Sequence, residues 1–302
     1  DGTVRDASAA AGVDWLDASA GALFVDLDND GDQDLVVGAA SGVLFHENDG
    51  AGKFALKAAR SFSSMPQSLS AADYNQDGKL DIYICGHTPS GQRQDEIILG
   101  LPVPFHDANN GASNALLRND GQWAFTDVTA ATGLNQNNHR FSYACAWEDY
   151  DNDGDQDLYV ANDFGRNNLY RNDGGFFRDV AAAADVEDIS SGMSVSWGDY
   201  NGDGWMDVYV GNMFSSAGNR ITYQRQFQVD KKAGDVEQIQ RMARGNSLFA
   251  NSASGFRDVS LTAHVNHGRW AWGSKFVDVN NDGREDIVVA NGFVTGTRPD
   301  DL

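Results

Sequence analysis

Five short acidic segments are the residues of this chain best suited to chemistry. They read DLDNDGDQD from Asp26, DYNQDGKLD from Asp73, DYDNDGDQD from Asp149, DYNGDGWMD from Asp199 and DVNNDGRED from Asp278. In the pattern D-x-D-x-D-G-x-x-D, positions 1, 3, 5 and 9 place side-chain oxygens around one point, and position 7 offers a backbone carbonyl. Oxygen ligands alone favour a hard cation, and six or more on a flexible loop favour calcium over magnesium. We therefore expect about five calcium ions, one in each loop.

Each of the five acidic loops, numbered in chain order, is expected to supply the same set of ligands. The expected ligands are Asp26, Asp28, Asp30, Asp32 and Asp34 in loop 1; Asp73, Asn75, Asp77, Lys79 and Asp81 in loop 2; Asp149, Asp151, Asp153, Asp155 and Asp157 in loop 3; Asp199, Asn201, Asp203, Trp205 and Asp207 in loop 4; Asp278, Asn280, Asp282, Arg284 and Asp286 in loop 5. The asparagines at position 3 still provide an oxygen, and position 7 contributes only its carbonyl. A surface turn would explain one copy, but five copies, each followed by a β-rich run, indicate metal sites.

The acidic loops belong to a longer repeat, because their starts lie 47, 76, 50 and 79 residues apart. A β-rich run follows every loop, such as LVV from Leu35 and LYV from Leu158. A second signature, such as NNLYRNDG from Asn167, ends in a hairpin turn. Each unit is therefore expected to contain four short strands, with the acidic loop between strands one and two. Units of this size and strand number predict an all-β fold, a β-propeller of four-stranded blades.

Two further features complete the expected architecture. One residue stands two positions before each acidic loop and is expected to pack between blades: Phe24, Ala71, Trp147, Trp197 and Phe276. The two longer spacings place insertions at about 86–113 and 214–245, both between strands two and three. Within the second insertion, roughly 230–244 is expected to form a helix with several basic residues. That helix would either receive an acidic partner or lie in solvent with its charges paired.

These loops and their flanks resemble the FG-GAP/VCBS repeats of integrin α-subunit propellers. Three longer stretches, residues 139–175, 192–220 and 270–293, are similar to the cartilage acidic protein and ASPIC/UnbV group. The resemblance implies a calcium-stabilised propeller that is secreted or held at the cell surface, with the periplasm as the alternative. Propellers of the integrin type have seven blades, and proteins of this group often carry a C-terminal ASPIC/UnbV domain.

Only five loops are present, and no ASPIC/UnbV segment follows them. The fifth unit lacks its third strand, whereas the residues around Val4 resemble a fourth strand without its partners. We expect residues 1–302 to form one incomplete propeller domain, with the remaining blades elsewhere in a longer protein or on a second chain or fragment. A five-bladed ring closed on itself is the alternative.

The topology predicts which residues share the face opposite the acidic loops. Both insertions are connections between strands two and three, so they lie on that face, together with the segments that enter each first strand. Basic and imidazole groups gather there on an otherwise acidic protein: His139, Arg140, Arg166, Arg220, His267, Arg269 and Arg298. For His139 and His267, hydrogen bonding within loops is the alternative to ligand binding.

Two classes of function fit these observations. The first is a non-catalytic binding or adhesion module with a protein or glycan ligand, which agrees with the lack of G-x-S-x-G, H-E-x-x-H and P-loop motifs. The second is a polysaccharide lyase or hydrolase that uses histidines and arginines of the same face, with Glu148 as base. Glu148 directly precedes loop 3, which also suits a structural role. The net charge of −22 disfavours nucleic-acid partners, and no apolar run of transmembrane length occurs.

The two cysteines, Cys85 and Cys145, leave two interpretations open. They form one disulfide, or they are small buried apolar side chains.

Overall fold

The computed structural model describes residues 3–89, 102–227 and 232–292, and its strands form five antiparallel sheets. Sheet 1 contains β1 (Ser19–Val25), β2 (Asp34–Ala39), β3 (Gly42–Asn48) and β4 (Phe54–Arg60). Sheet 2 contains β5 (Pro66–Ala72), β6 (Asp81–Gly86), β7 (Ala115–Gly121) and β8 (Ala124–Asp127). Sheet 3 contains β9 (Ser142–Glu148), β10 (Asp157–Asn162), β11 (Asn168–Asn172) and β12 (Phe177–Asp179).

Sheet 4 contains β13 (Gly192–Gly198), β14 (Asp207–Asn212), β15 (Ser247–Ala250) and β16 (Arg257–Asp258). Sheet 5 consists of β17 (Ala271–Val277) and β18 (Asp286–Asn291) in the described part of the chain. Within the described ranges three helices accompany the sheets: α1 (Ser8–Ala11), α2 (Ser216–Thr222) and α3 (Ala233–Ala243). Helices α2 and α3 lie between β14 and β15, within the segment identified in the sequence as the second insertion.

Each four-stranded sheet is a meander in which strands pair in chain order. The first strands of successive sheets, β1, β5, β9, β13 and β17, contact one another side by side. The sheets therefore follow one another radially, as the blades of a β-propeller do. Across the described residues this succession does not close into a ring.

The second strand of each sheet is the most deeply buried element. All residues of β2, β6, β10 and β14 are buried, because each strand lies inside its sheet, and core clusters cover both faces of β6, β10 and β14. This explains why the sequence has continuous apolar runs at these places rather than alternation. In β18 the residues are half-buried or exposed, since sheet 5 is covered on one face only among the described residues.

The hydrophobic core is divided into four clusters, one between each pair of neighbouring sheets. Aromatic pairs join the sheets: Phe45 stacks on Phe125 with ring centroids 4.0 Å apart, and Tyr159 meets Trp197 edge-on. Trp197, like Trp147 and Phe276, packs between sheets as the sequence predicted.

For Phe24 the prediction of packing between blades is wrong. Its side chain is 57% exposed, and its ring lies against that of Phe54 in its own sheet, with centroids 5.9 Å apart. The physical reason is that no described sheet lies on that side of sheet 1.

Cys85 and Cys145 lie in the core cluster between sheets 2 and 3 and form no disulfide. Cys145 Sγ lies 3.1 Å from the Ser70 hydroxyl. None of the helices among the described residues has both the length and the apolar character needed to cross a bilayer.

Candidate metal-binding loops and insertion-bearing face

The first aspartate of every acidic loop organises the turn that follows it. Its carboxylate accepts a hydrogen bond from the backbone N–H of the glycine at position 6 in all five loops. The distances are 3.1 Å for Asp26, 2.8 Å for Asp73, 2.9 Å for Asp149, 2.8 Å for Asp199 and 2.8 Å for Asp278. The five loops therefore share the same contact between their first aspartate and the glycine of the turn.

Position 4 explains why asparagine recurs in these loops. The residue there has a positive φ in every copy, 63° for Asn29, 57° for Gln76, 59° for Asn152, 73° for Gly202 and 59° for Asn281. Asparagine and glycine tolerate this left-handed conformation better than other residues. The glycine at position 6 also has a positive φ, so the chain turns twice around the loop centre.

The last aspartate, at position 9, joins three segments of its sheet. In loop 3, Asp157 accepts backbone N–H groups from Tyr150 at 3.2 Å and from Asn172 on β11 at 2.7 Å. Asp34 likewise accepts the backbone N–H groups of Leu27 and Asn48. Asp207 accepts those of Tyr200 and Asn251. The sequence suggested only a ligand role for this position, whereas the structure shows a clamp between the loop and the third strand.

Burial raises the pKa values of the position-9 carboxyl groups in loops 1 to 4. Burial raises the pKa of Asp81 to about 7, of Asp157 to about 8 and of Asp207 to about 6. The pKa of Asp34 is also raised, and burial is again the largest cause. Because like-charged neighbours in the same loops add to these shifts, a nearby cation would stabilise the ionised forms.

In loops 1 and 3 the carboxylates converge closely enough to share one ion. One oxygen from each of Asp26, Asp28 and Asp34 lies within 4.8 Å of the others, and the same holds for Asp149, Asp151 and Asp153. Burial and, after it, neighbouring carboxylates raise the pKa values of Asp28 and Asp151.

Some of these oxygens are buried without a hydrogen-bond partner. Asp26 Oδ1 and Asp151 Oδ1, one in each cluster, are in this state. A buried carboxylate oxygen with no donor is costly, and a hard divalent cation is the partner that such a donor set fits. The residues present therefore suit calcium.

Loops 2, 4 and 5 differ because asparagine replaces aspartate at position 3. The Asn201 amide donates to the position-5 carboxylate of Asp203 at 2.9 Å, and Asn280 does the same to Asp282 at 3.1 Å. In loop 2 the ammonium group of Lys79 lies 3.1 Å from Asp77 Oδ2. These loops relieve part of their carboxylate repulsion internally, as loops 1 and 3 do not.

Neighbouring acidic loops also contact one another. The Asn29 amide of loop 1 donates to the Gly78 carbonyl of loop 2 at 2.9 Å. The Gln76 amide of loop 2 donates to the Gly154 carbonyl of loop 3 at 3.0 Å and to Asp155 Oδ1 at 2.9 Å. The position-4 side chains thus link the first three loops in a row on one face of the protein.

A set of asparagines at the end of the third strands was missed by the sequence analysis. Each reaches the position-2 carbonyl of the acidic loop in the preceding sheet: Asn119 to Leu27 at 2.8 Å, Asn172 to Tyr74 at 2.8 Å and Asn251 to Tyr150 at 2.7 Å. The signal is present in the sequence, because each of these asparagines begins the turn that follows the third strand of its unit. Each was interpreted only as a turn residue.

The predicted ligand-face residues form two groups on the side opposite the acidic loops. In the first group, Arg140 and Arg166 both contact Asp107 at 3.0 Å, and Arg166 also pairs with Glu187 at 2.7 Å. His139 is exposed, and its Nδ1 lies 3.0 Å from the Ser113 hydroxyl. Both arginines are therefore engaged in one internal ion-pair network.

The second group surrounds Phe214, at the start of the second insertion. The ring of His267 meets that of Phe214 edge-on with centroids 5.5 Å apart, and the Arg269 carbonyl accepts the Phe214 N–H at 2.7 Å. Arg220 lies on α2 and is exposed. Arg298 falls outside the described residues.

Two basic residues of the second insertion pair with acids of this chain. Arg241 on α3 contacts Asp188 at 2.9 Å and Asp258 at 2.7 Å, and Arg244 contacts Asp258 at 2.9 Å. At least these charges are paired within the molecule, which was one of the two alternatives for this helix. Glu148 is half-buried at the end of β9, and its carboxylate accepts the Asp149 N–H at 3.2 Å.

The acidic repeats match a known sequence family. The model of the FG-GAP-like repeat family matches residues 26–84 and 149–210, and each stretch contains two of the acidic loops. The chain thus contains FG-GAP-like repeats, as the sequence analysis expected. No curated protein matches this chain.

Two solved structures are similar in part. A lectin from Agrocybe aegerita, described for its specific recognition of non-reducing terminal N-acetylglucosamine, is 15% identical with a TM-score of 0.44. The V. cholerae biofilm matrix protein Bap1 is 16% identical with a TM-score of 0.34. The alignments cover 89% and 67% of this chain, but only 60% of the lectin chain and 25% of Bap1. This chain therefore spans less than two thirds of either of these proteins.

Proposed function

We propose that this chain is a calcium-stabilised, non-catalytic binding propeller that acts outside the cytoplasm and contacts a protein or glycan. The FG-GAP-like repeats support the propeller and binding class. Within that class we favour the cartilage acidic protein and ASPIC/UnbV type, on the resemblance of residues 139–175, 192–220 and 270–293. An extracellular, cell-surface or periplasmic setting follows from the same resemblance.

The observation that carries the calcium part is the convergence of carboxylates in loops 1 and 3. Asp26 and Asp151 each have a buried oxygen without a donor, and neighbouring carboxylates surround it. A bound calcium would neutralise this repulsion and hold each loop against the strands that it joins. Loops 2, 4 and 5 would contribute amide and carboxylate oxygens, so about five ions are expected in all.

Calcium binding is tested by removing the ion and by removing one ligand. We expect metal-stripped protein to melt at a clearly lower temperature, and added calcium to restore the transition better than magnesium does. Asp151→Ala should bind one ion fewer by titration calorimetry and gain less stability from calcium. Asp17→Ala removes the same charge from an exposed site outside the loops and serves as the control. Equal melting curves with and without calcium would refute this part of the proposal.

The binding class is tested separately with candidate ligands. We assign the ligand side to the insertion-bearing face, and the exposed His139 and Arg220 on that face support this choice. We expect glycan-array or protein-capture signals that persist without turnover of the bound material. Consumption of a bound polysaccharide that stops in a His267→Ala variant would overturn the non-catalytic assignment.

A further inference from the structure

A cavity of about 660 Å³ lies between segments that are additional to the four-stranded repeat unit. One wall comes from residues 104–106 of the first insertion, and another comes from α2 and α3 of the second insertion. Trp270, just before β17, completes the lining. We call this space the insertion cavity. Its walls come from connections of three different sheets, and both insertions that lengthen the repeat contribute to it.

The described lining of the insertion cavity is mainly apolar, lacks Asp, Glu, Lys and Arg, and has His106 as its one ionisable side chain. Its largest side chains are Phe105, Met213, Phe214, Ile239, Met242 and Trp270. Phe105 is 61% exposed and Trp270 is 38% exposed, so part of each ring is open to a ligand. A charged ligand would lose its hydration here and would find no carboxylate, ammonium or guanidinium group as a counter-charge. The lining therefore favours an uncharged ligand.

One polar atom of the lining has no partner. Thr222 on α2 is only 6% exposed, and its Oγ1 is buried without a hydrogen bond. The Ser215 hydroxyl is already occupied, since it accepts the Gly218 N–H at 2.9 Å as the cap of α2. A buried hydroxyl without a partner is rare. Because Thr222 lines the cavity, a rotation about its Cα–Cβ bond that turns the hydroxyl inward would let a bound ligand supply the missing hydrogen bond.

We propose that the insertion cavity binds an uncharged, mainly apolar small molecule that carries one hydrogen-bonding group. The cavity volume matches that of small-molecule sites, the aromatic and methionine side chains cover the apolar part, and Thr222 Oγ1 pairs with the polar group. This inference rests on the proposed binding function and names a ligand class for it. It does not depend on calcium.

A neutral fluorescent probe, N-phenyl-1-naphthylamine, tests occupancy in the calcium-treated full chain. We expect saturable fluorescence enhancement with the unmodified protein. Ile239→Trp fills the cavity from α3 and should weaken probe binding at least tenfold. Ile221→Ala removes an exposed apolar side chain of α2 outside the lining and should leave binding unchanged. The melting temperature of each variant confirms that it is folded.

The role of the hydroxyl is tested by competition with a matched pair, 2-naphthol and 2-methylnaphthalene. In the unmodified protein 2-naphthol should displace the probe several-fold more effectively, because it pairs with Thr222 Oγ1. Thr222→Val keeps the side-chain shape and should abolish that preference. An unchanged preference in this variant would overturn the assignment of Thr222.

Three results would overturn the inference as a whole. The first is that the neutral probe does not bind, and the second is that folded Ile239→Trp binds it as tightly as the unmodified protein does. The third is that the anionic probe 1-anilinonaphthalene-8-sulfonate binds more tightly than the neutral probe, at a site that Ile239→Trp removes. With a normal calcium response, each would refute the cavity inference alone. The calcium part of the proposed function is refuted instead by the melting and calorimetry experiment.

Discussion

At the scale of single residues, the acidic repeat depends on polar side chains that bridge backbone segments. In loops 1 to 4 the position-9 aspartates join the loop to its own third strand, and in sheets 2 to 4 the third-strand asparagines join that strand to the loop of the preceding sheet. These groups are buried, so each lost partner leaves an unpaired N–H or carbonyl away from water. The acidic loops thus stabilise the contacts between sheets in addition to forming the candidate metal sites.

Asn172→Ala should destabilise the protein by about 1–3 kcal/mol, because the buried Tyr74 carbonyl and the Gln156 carbonyl lose their amide donor. Urea unfolding in calcium measures the change. Asn48→Ala is the matched control, since the Asn48 amide contacts the Gln33 carbonyl within sheet 1 and does not reach a preceding sheet. An effect as large for Asn48→Ala would contradict a specific role between sheets.

The raised pKa of Asp157, about 8, predicts how stability depends on pH once metal is removed. The unfolded value is about 4, so between about pH 4 and pH 8 the folded state binds this proton more tightly than the unfolded chain does. Stability of the metal-free protein should therefore fall as pH rises through this window. Urea unfolding at pH 5 and pH 8 measures the slope.

Asp157→Asn should reduce that pH dependence, whereas Asp17→Asn should leave it unchanged. Identical slopes for Asp157→Asn and the unmodified protein would show that Asp157 does not cause the effect. Bound calcium should flatten the slope in the unmodified protein, because it favours the ionised carboxylates of loop 3.

At the scale of elements, the second insertion is held by ion pairs rather than by a large apolar core. Arg241 of α3 contacts both Asp188 and Asp258, and Arg244 shares Asp258. Burial alone would raise the pKa of Asp258, but the Ser260 hydroxyl and the two arginines outweigh it and hold the pKa far below its usual range. The carboxylate therefore stays ionised and fixes α3 against sheet 4.

Asp258→Asn should release α3, with a loss of about 1–3 kcal/mol for a partly exposed pair. The sharper readout is hydrogen exchange of the α3 amides, which should accelerate more than exchange in β10 or β14. Glu237→Gln removes a charge from an exposed position of the same helix and is the control. Unchanged α3 exchange in Asp258→Asn would contradict this anchoring role.

At the scale of the whole molecule, sheets contact their neighbours in chain order, and burial is uneven along this succession. Sheets 2, 3 and 4 have core clusters on both sides. Sheet 5 has one such cluster among the described residues, and Val288 is 44% exposed on its other side. Stability should therefore vary along the chain rather than being uniform.

Hydrogen exchange resolved by peptide should show this gradient in the calcium-treated protein of this sequence. We expect amides of β17 and β18 to exchange at least tenfold faster than those of β9, β10, β13 and β14, because fewer buried contacts oppose their opening. Equal protection in sheets 3 and 5 would contradict the prediction. It would indicate that the exposed face of sheet 5 is covered in solution.

Local features of the sequence predicted much of this architecture. The acidic loops, the apolar second strands and the hairpin turns follow from residue types at fixed short spacings, such as the asparagine or glycine at position 4 of the loop. Such patterns report backbone conformation and burial within one sheet, which are determined over a few residues. The exposure of Phe24 was not predictable in this way, because it depends on whether another sheet lies beside sheet 1.

By itself, the sequence determined the repeated unit, its acidic loop and the side of the blade on which the insertions emerge. Only the tertiary structure decided that Arg140 and Arg166 share Asp107, that Asn172 reaches Tyr74, and that the two insertions enclose one cavity. The physical reason is sequence separation. These contacts join residues of different blades, so they arise from packing between sheets, which no short pattern within one repeat encodes.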